Sequence, residues 1–94
     1  MGPHIKNYLK HFDLGEQDVW QCEACGKQLR INNGLEIHHI IFRSHGGDNS
    51  VQNCICLCVG CHEMAHSSKN YVTPDEFQYI HNCFLVGKHQ TFLK

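Results

Sequence analysis

Residues 53–66 read NCICLCVGCHEMAH, and the division of this stretch decides the fold. In its first half Cys54, Cys56 and Cys58 fall on every second position with Ile55 and Leu57 between them. That is the period of a β-strand, so 53–57 reads as a strand whose cysteines share a face. The period then changes. From Cys58 or Val59 through His66 the chain can form a short helix despite Gly60, stopped by Ser67, Ser68 and Asn70. On that helix His62 and His66, four apart, share a face with Cβ atoms roughly 5–6 Å apart, a spacing that can grip one ion. Cys61 lies about 100° round the helix from His62, so one short helix bears two separate ligand faces.

Upstream, residues 36–40 read EIHHI within a strand predicted over 35–41, after the turn signal Asn32-Asn33-Gly34. Neighbouring strand side chains point to opposite faces, so His38 and His39 cannot both enter one core. At least one of them has another task. Between the two strands, 42–52 holds Gly46, Gly47, Asp48, Asn49 and Ser50 and reads as a loop. The central order is therefore strand, loop, strand, helix. A helix over about 3–13 precedes it, with Ile5, Tyr8, Leu9 and Phe12 on one face and Gly15 as its stop. A second flanking helix, about 74–86, opens with a Thr73–Glu76 capping box and Pro74, closes at Gly87, and turns Phe77, Ile80, Phe84 and Leu85 inward.

The chain has 94 residues, which predicts a single domain over 1–94 with a small core. No apolar run approaches the length of a membrane helix, and the N-terminus lacks the basic-then-apolar pattern of a secretory signal. This predicts a soluble, intracellular protein. A formal net charge of −1 gives no support to coating of nucleic acid by bulk electrostatics and leaves local contact open.

Seven cysteines and nine histidines dominate the composition. The odd cysteine count and the spacing favour metal ligation in a reducing compartment over a disulfide framework. Cys22-x-x-Cys25 and Cys58-x-x-Cys61 form two CxxC pairs, each able to place two thiolates on one side of a tetrahedral zinc, with Gly26 following the first as in a zinc knuckle. Cys54 or Cys56 shares the strand face of Cys58 and could compete, but only Cys58 has the right spacing to Cys61. Cys54, Cys56 and Cys83 are expected as small core residues. A bound ion would add folding free energy on the order of 10 kcal/mol to so small a core.

EIHHI, then GGDNSVQN, then LCVGCHEMAH resembles the HNH endonuclease family with its ββα-metal motif, in the phage-type variant braced by two CxxC pairs. The resemblance covers about 22–66. It implies an α+β fold whose ββα core, about 35–66, is a two-stranded antiparallel hairpin plus a helix. It further implies that His38 ligates a divalent ion, His39 is the general base, Asn53 is the middle residue of the motif and His62 is the helical ligand. His66 matches the last ligand of the colicin-like variant of the family. Asn53 would then hydrogen-bond the backbone near His39 and hold its ring toward substrate. Glu36, two residues before His38 on the same strand face, would orient a ligand. Many members carry aspartate where His38 stands, and imidazole shifts preference toward softer transition metals.

The expected activity is metal-dependent hydrolysis of DNA phosphodiester bonds, nicking or cutting with little sequence specificity and leaving a 5′-phosphate and a 3′-hydroxyl. Water is a poor nucleophile and the departing alkoxide a poor leaving group, so a base on one side and positive charge on the other are both required. The catalytic ion would be Mg²⁺, Mn²⁺, Ni²⁺ or Zn²⁺, in addition to the structural Zn²⁺. Arg43 is the candidate phosphate contact, with Lys27 and Arg30 weaker and His45 facing water. His4, His11, His81 and His89 have no motif support and are expected as surface or helix residues. DNA is the expected partner, in the bacterial cytoplasm or a phage-infected cell. The alternatives are a non-catalytic zinc-braced module that binds nucleic acid or protein, or an accessory subunit of a phage DNA-packaging machine.

Overall fold

The structure is a computed structural model, and it describes residues 2–69 and 71–87. His89 and Asn70 lie outside the described residues. Helix α1 (Pro3–Phe12) starts on Gly2 with proline in its first turn. It ends two residues before the expected glycine, because Asp13 takes the left-handed conformation (φ 56°) and Leu14 N–H reaches back to the Leu9 carbonyl at 2.9 Å. Tyr8 and Leu9 are buried; Ile5 and Phe12 pack at the edge of the core.

Four strands follow in one sheet, in the order β1-β2-β3-β4: β1 (Val19–Gln21), β2 (Gln28–Ile31), β3 (Gly34–His39) and β4 (Cys54–Cys58). β3 and β4 are the expected antiparallel hairpin, in register from Leu35 opposite Cys58 to His39 opposite Cys54. Two further strands extend it. β1 and β2 pair antiparallel, Val19 with Arg30 and Gln21 with Gln28, so the first CxxC forms the hairpin loop between them. β2 then turns through Asn32 (φ 64°) and Asn33 to meet β3 in parallel sense, Arg30 with Gly34 and Ile31 with Leu35. Gly34 sits at φ 115°, where a side chain would also press on Leu29.

The chain leaving β3 bends at Ile40, two residues earlier than the sequence suggested. It then runs through two short 3-10 turns, Arg43–His45 and Val51–Asn53. Gly47 is essential to this loop, because a Cβ there would stand 1.7 Å from the Ile41 carbonyl oxygen. Helix α2 (Val59–Glu63) starts on Cys58 and is shorter than expected. Its continuation tightens into i→i−3 hydrogen bonds, ending with His66 N–H to the Glu63 carbonyl at 3.0 Å. Helix α3 (Pro74–Leu85) carries the Thr73–Glu76 capping box in full and turns Phe77 and Ile80 into the core.

All five residues of β4 are buried, Cys54 and Cys56 completely. Although it ends the sheet, this strand is covered by β3, α1 and the first CxxC loop, whose Glu23 N–H donates to the Cys56 carbonyl at 2.8 Å. The third buried residue of α3 is His81, expected as a surface or helix residue and here on the helix but turned inward: it is 0% exposed, as is its partner Glu23. His81 Nδ1 lies 2.6 Å from Glu23 Oε1 and its Nε2 lies 2.6 Å from the Val51 carbonyl. A carbonyl only accepts, so Nε2 donates to Val51, and Nδ1 pairs with the Glu23 carboxyl group. Glu23 Oε2 also accepts from the Tyr8 hydroxyl (2.5 Å) and the Cys56 N–H (3.0 Å), while Trp20 Nε1–H donates to the Tyr8 oxygen (3.2 Å). Burial and the Glu23 charge push the Tyr8 phenol far above its ordinary range, so it remains a donor.

Candidate functional site

Two clusters flank α2, one of sulfur and one of imidazole. The sulfur cluster is Cys22, Cys25, Cys58 and Cys61, whose Sγ atoms all lie within 4.8 Å of one another. Each half is built by its own turn. In the first, Gly26 (φ 81°) lets its N–H reach the Cys22 carbonyl at 2.9 Å, and Cys25 N–H points at Cys22 Sγ at 3.5 Å. In the second, Cys58 stands at the N-terminus of α2 and Cys61 one turn on. Four sulfurs about 2.3 Å from one zinc sit about 3.8 Å apart. Cys25 and Cys58 are separated by 3.7 Å, so the set fits tetrahedral zinc. Burial pushes the Cys22 and Cys61 thiols up, and although burial opposes it, the Cys61 backbone N–H and neighbouring thiols draw Cys58 down. A zinc ion held here would relieve the crowding of four thiolates. Cys54 and Cys56 lie outside the cluster, with burial raising the Cys54 thiol to about 12.

The imidazole cluster is built from β3 and α2. The ring of His38 lies 4.6 Å from that of His62 and 6.2 Å from that of His66, with 5.9 Å between the last two, centroid to centroid. Rings that hold one ion through nitrogens about 2.1 Å away have centroids roughly 5 Å apart, so His38 and His62 fit and His66, beyond the end of α2, stands slightly wide. His38 is 6% exposed, edge-on to Phe42 and covered by Phe77. Burial first, then the positive charge that His62, His66 and His39 can carry, hold its pKa down to about 4. At neutral pH it is an uncharged ring with a free lone pair, the state a metal ligand needs.

Glu36, two residues before His38 on β3, contacts the ring of His62: Nδ1 to Oε1 is 2.8 Å. A carboxylate only accepts, so His62 donates from Nδ1, and Nε2 is the ring nitrogen left for an ion. Asn53 is buried and fixes the backbone beyond His39. Its Oδ1 accepts from Ile41 N–H (2.8 Å), and its Nδ2 donates to the carbonyls of Ile41 (3.0 Å) and Asp48 (2.9 Å).

His39 is half-buried. β3 ends there, and the turn away from the sheet lets His38 and His39 line one cleft with His62, His66, Phe42, Arg43 and Ser44, about 550 Å³ in volume. His39 Nε2 lies 2.9 Å from Asn49 Oδ1, which Arg43 also approaches at 3.4 Å. His4 is not an idle surface residue: its ring lies 4.0 Å from that of His39 at 34°, and burial followed by the nearby His39 lowers its pKa. The His4 contact is absent from any local motif, since it depends on how α1 crosses the sheet. Position 81 did carry a signal, four residues after Phe77 and three before Phe84 on the inward helical face. Lys27 is exposed, and Arg30 is engaged with the Gln17 carbonyl at 2.9 Å.

Comparison with known proteins gives a match between residues 22–68 and the family model described as HNH endonuclease. The chain is 42% identical over 70 residues to the type IV methyl-directed restriction enzyme EcoKMcrA of Escherichia coli K12, a match covering 69% of this chain and 25% of that protein. It is 34% identical over 52 residues to anaredoxin of Nostoc sp. PCC 7120, covering 55% of this chain and 64% of that one. The chain thus spans a quarter of the first relative and less than two thirds of the second. Among the described residues no helix is long and apolar enough to cross a membrane.

Proposed function

The chain belongs to the HNH endonuclease family, and on that premise we propose that it is a metal-dependent endonuclease that hydrolyses DNA phosphodiester bonds, with little sequence specificity of its own. The observation that carries this reading is the convergence of His38 and His62, with His66 at the margin, on the cleft that His39 and Arg43 also line. His38 and His62 would hold one divalent ion, with His66 completing the set when substrate or ion draws it in. Such an ion, when bound, supplies positive charge to the scissile phosphate and the leaving oxygen.

The chain's own groups do the rest. His39 takes a proton from water as the water oxygen bonds to phosphorus. The bond from phosphorus to the 3′-oxygen breaks, that oxygen collects a proton from solvent, and the products are a 5′-phosphate and a 3′-hydroxyl. A positioned base of this kind contributes about 10²- to 10⁴-fold. Arg43 steadies the phosphate from the rim of the cleft, and Asn53 holds the strand exit that aims His39.

The test is conversion of supercoiled plasmid by zinc-loaded protein. Cleavage is expected with Mg²⁺, Mn²⁺ or Ni²⁺, is expected to stop with EDTA, and is expected to fall by at least about 10²-fold in a folded His39→Ala variant. An unchanged rate in that variant removes His39 as the base. Metal-independent DNA binding with no cleavage in any ion replaces the enzyme by a non-catalytic module.

A further inference from the structure

We propose that the side chain of Asn49 is a positioning residue that fixes the tautomer and orientation of His39. The inference rests on the reading of His39 as the base, and goes beyond it by naming the ring nitrogen that does the work.

The assignment follows from donors and acceptors. The Asn49 side chain has one oxygen and one NH₂, and two groups converge on one of its ends: His39 Nε2 at 2.9 Å and Arg43 Nη1 at 3.4 Å. A guanidinium can only donate, so the shared end is the oxygen. His39 must then donate from Nε2, which leaves the lone pair on Nδ1. Free imidazole populates both tautomers and its ring can turn over. Here Asn49 holds one edge while the His4 ring covers one face at 4.0 Å.

Asn49 itself is held independently of this bond. Asn7 Nδ2 donates to its backbone carbonyl at 2.8 Å, and the adjoining loop is tied by Asn53 to the Asp48 carbonyl and by Ser50 to the Asp48 side chain. Truncating the side chain therefore removes the contact to His39 and leaves the loop anchored. Asn49 belongs to the glycine loop, within the segment matched by the family model, whereas its anchor Asn7 belongs to α1, outside that segment.

The experiment is two-bond ¹H–¹⁵N correlation spectroscopy of the histidine rings in zinc-loaded protein at fixed neutral pH, paired with plasmid cleavage rates. Wild type is expected to show His39 as a single Nε2–H tautomer with a slowly exchanging ring proton. In Asn49→Ala that proton is expected to exchange away, the two ring-nitrogen shifts to move toward the averages of free histidine, and kcat to drop about tenfold with KM little changed. Asn49→Asp keeps an acceptor in place, and is expected to retain the ring proton and most of the rate. A wild-type His39 protonated on Nδ1, or an Asn49→Ala variant with the ring signal and kcat of wild type, overturns the proposal. The two failures are distinct: full activity in His39→Ala removes the base and with it the catalytic role of Asn49, whereas a wrong ring tautomer in an enzyme silenced by His39→Ala removes Asn49 alone.

Discussion

His38 and His39 are neighbours in the chain with opposite surroundings. His38 lies under Phe77 and Phe42, with its pKa held down to about 4 by burial and by the nearby imidazoles; His39 stands half-open at the end of β3. The difference has a measurable consequence. Unfolded His38 takes a proton as the pH falls through about 6.5, whereas the folded ring refuses it until about pH 4. Its contribution to stability is therefore complete above pH 6.5 and is lost on acidification from there toward pH 4. Between pH 7 and pH 5, zinc-loaded protein without a second ion should lose about 2 kcal/mol through this group. Urea midpoints at the two pH values should show a smaller loss in His38→Asn, and equal losses would refute the assignment. The ligand candidates His38 and His62 and the base candidate His39 follow from the resemblance carried by EIHHI and LCVGCHEMAH, short segments that hold these residues in a recognisable order. The partners His4 and Asn49 were not legible in the sequence, because each reaches His39 across a separate element.

At the scale of elements, the β3–β4 hairpin and α3 were readable from alternation and from the Thr73–Glu76 cap, since both signals lie within one segment. β1 and β2 escaped notice because strands of three and four residues rich in Gln and Arg show little period, and their pairing is imposed by the cysteine turn between them. The length of α2 was overestimated because His66 keeps its place beside His62 through a tight turn as well as it would in a helix. The loop between β3 and β4 rests on close backbone approach at Gly47. In Gly47→Ala the new methyl would collide with the Ile41 carbonyl, which Asn53 also holds. That variant is expected to keep its zinc and its far-ultraviolet spectrum while cleaving plasmid at least tenfold more slowly. Wild-type cleavage would show that the loop does not aim His39.

Over the whole molecule, two polar knots join what a small apolar core cannot. The four cysteines tie the β1–β2 hairpin to the start of α2, and Glu23, inside the first CxxC, ties α1, β4 and α3 through Tyr8, Cys56 and His81. Every acceptor position of Glu23 that faces these groups meets a donor, so Glu23→Gln must turn an NH₂ against one of them. A loss of about 3 kcal/mol in urea denaturation of zinc-loaded protein is expected, because a buried pair has lost one partner. A change below about 1 kcal/mol would show that the knot is incidental. The imidazole cluster stands apart from both knots, and the account depends on its gathering a single exchangeable ion. Calorimetric titration of zinc-loaded protein with Ni²⁺ tests this most directly. One further ion per chain is predicted for wild type, bound at least tenfold more weakly by His62→Ala with the cysteine-held zinc unaffected; equal binding by the two proteins would contradict the account.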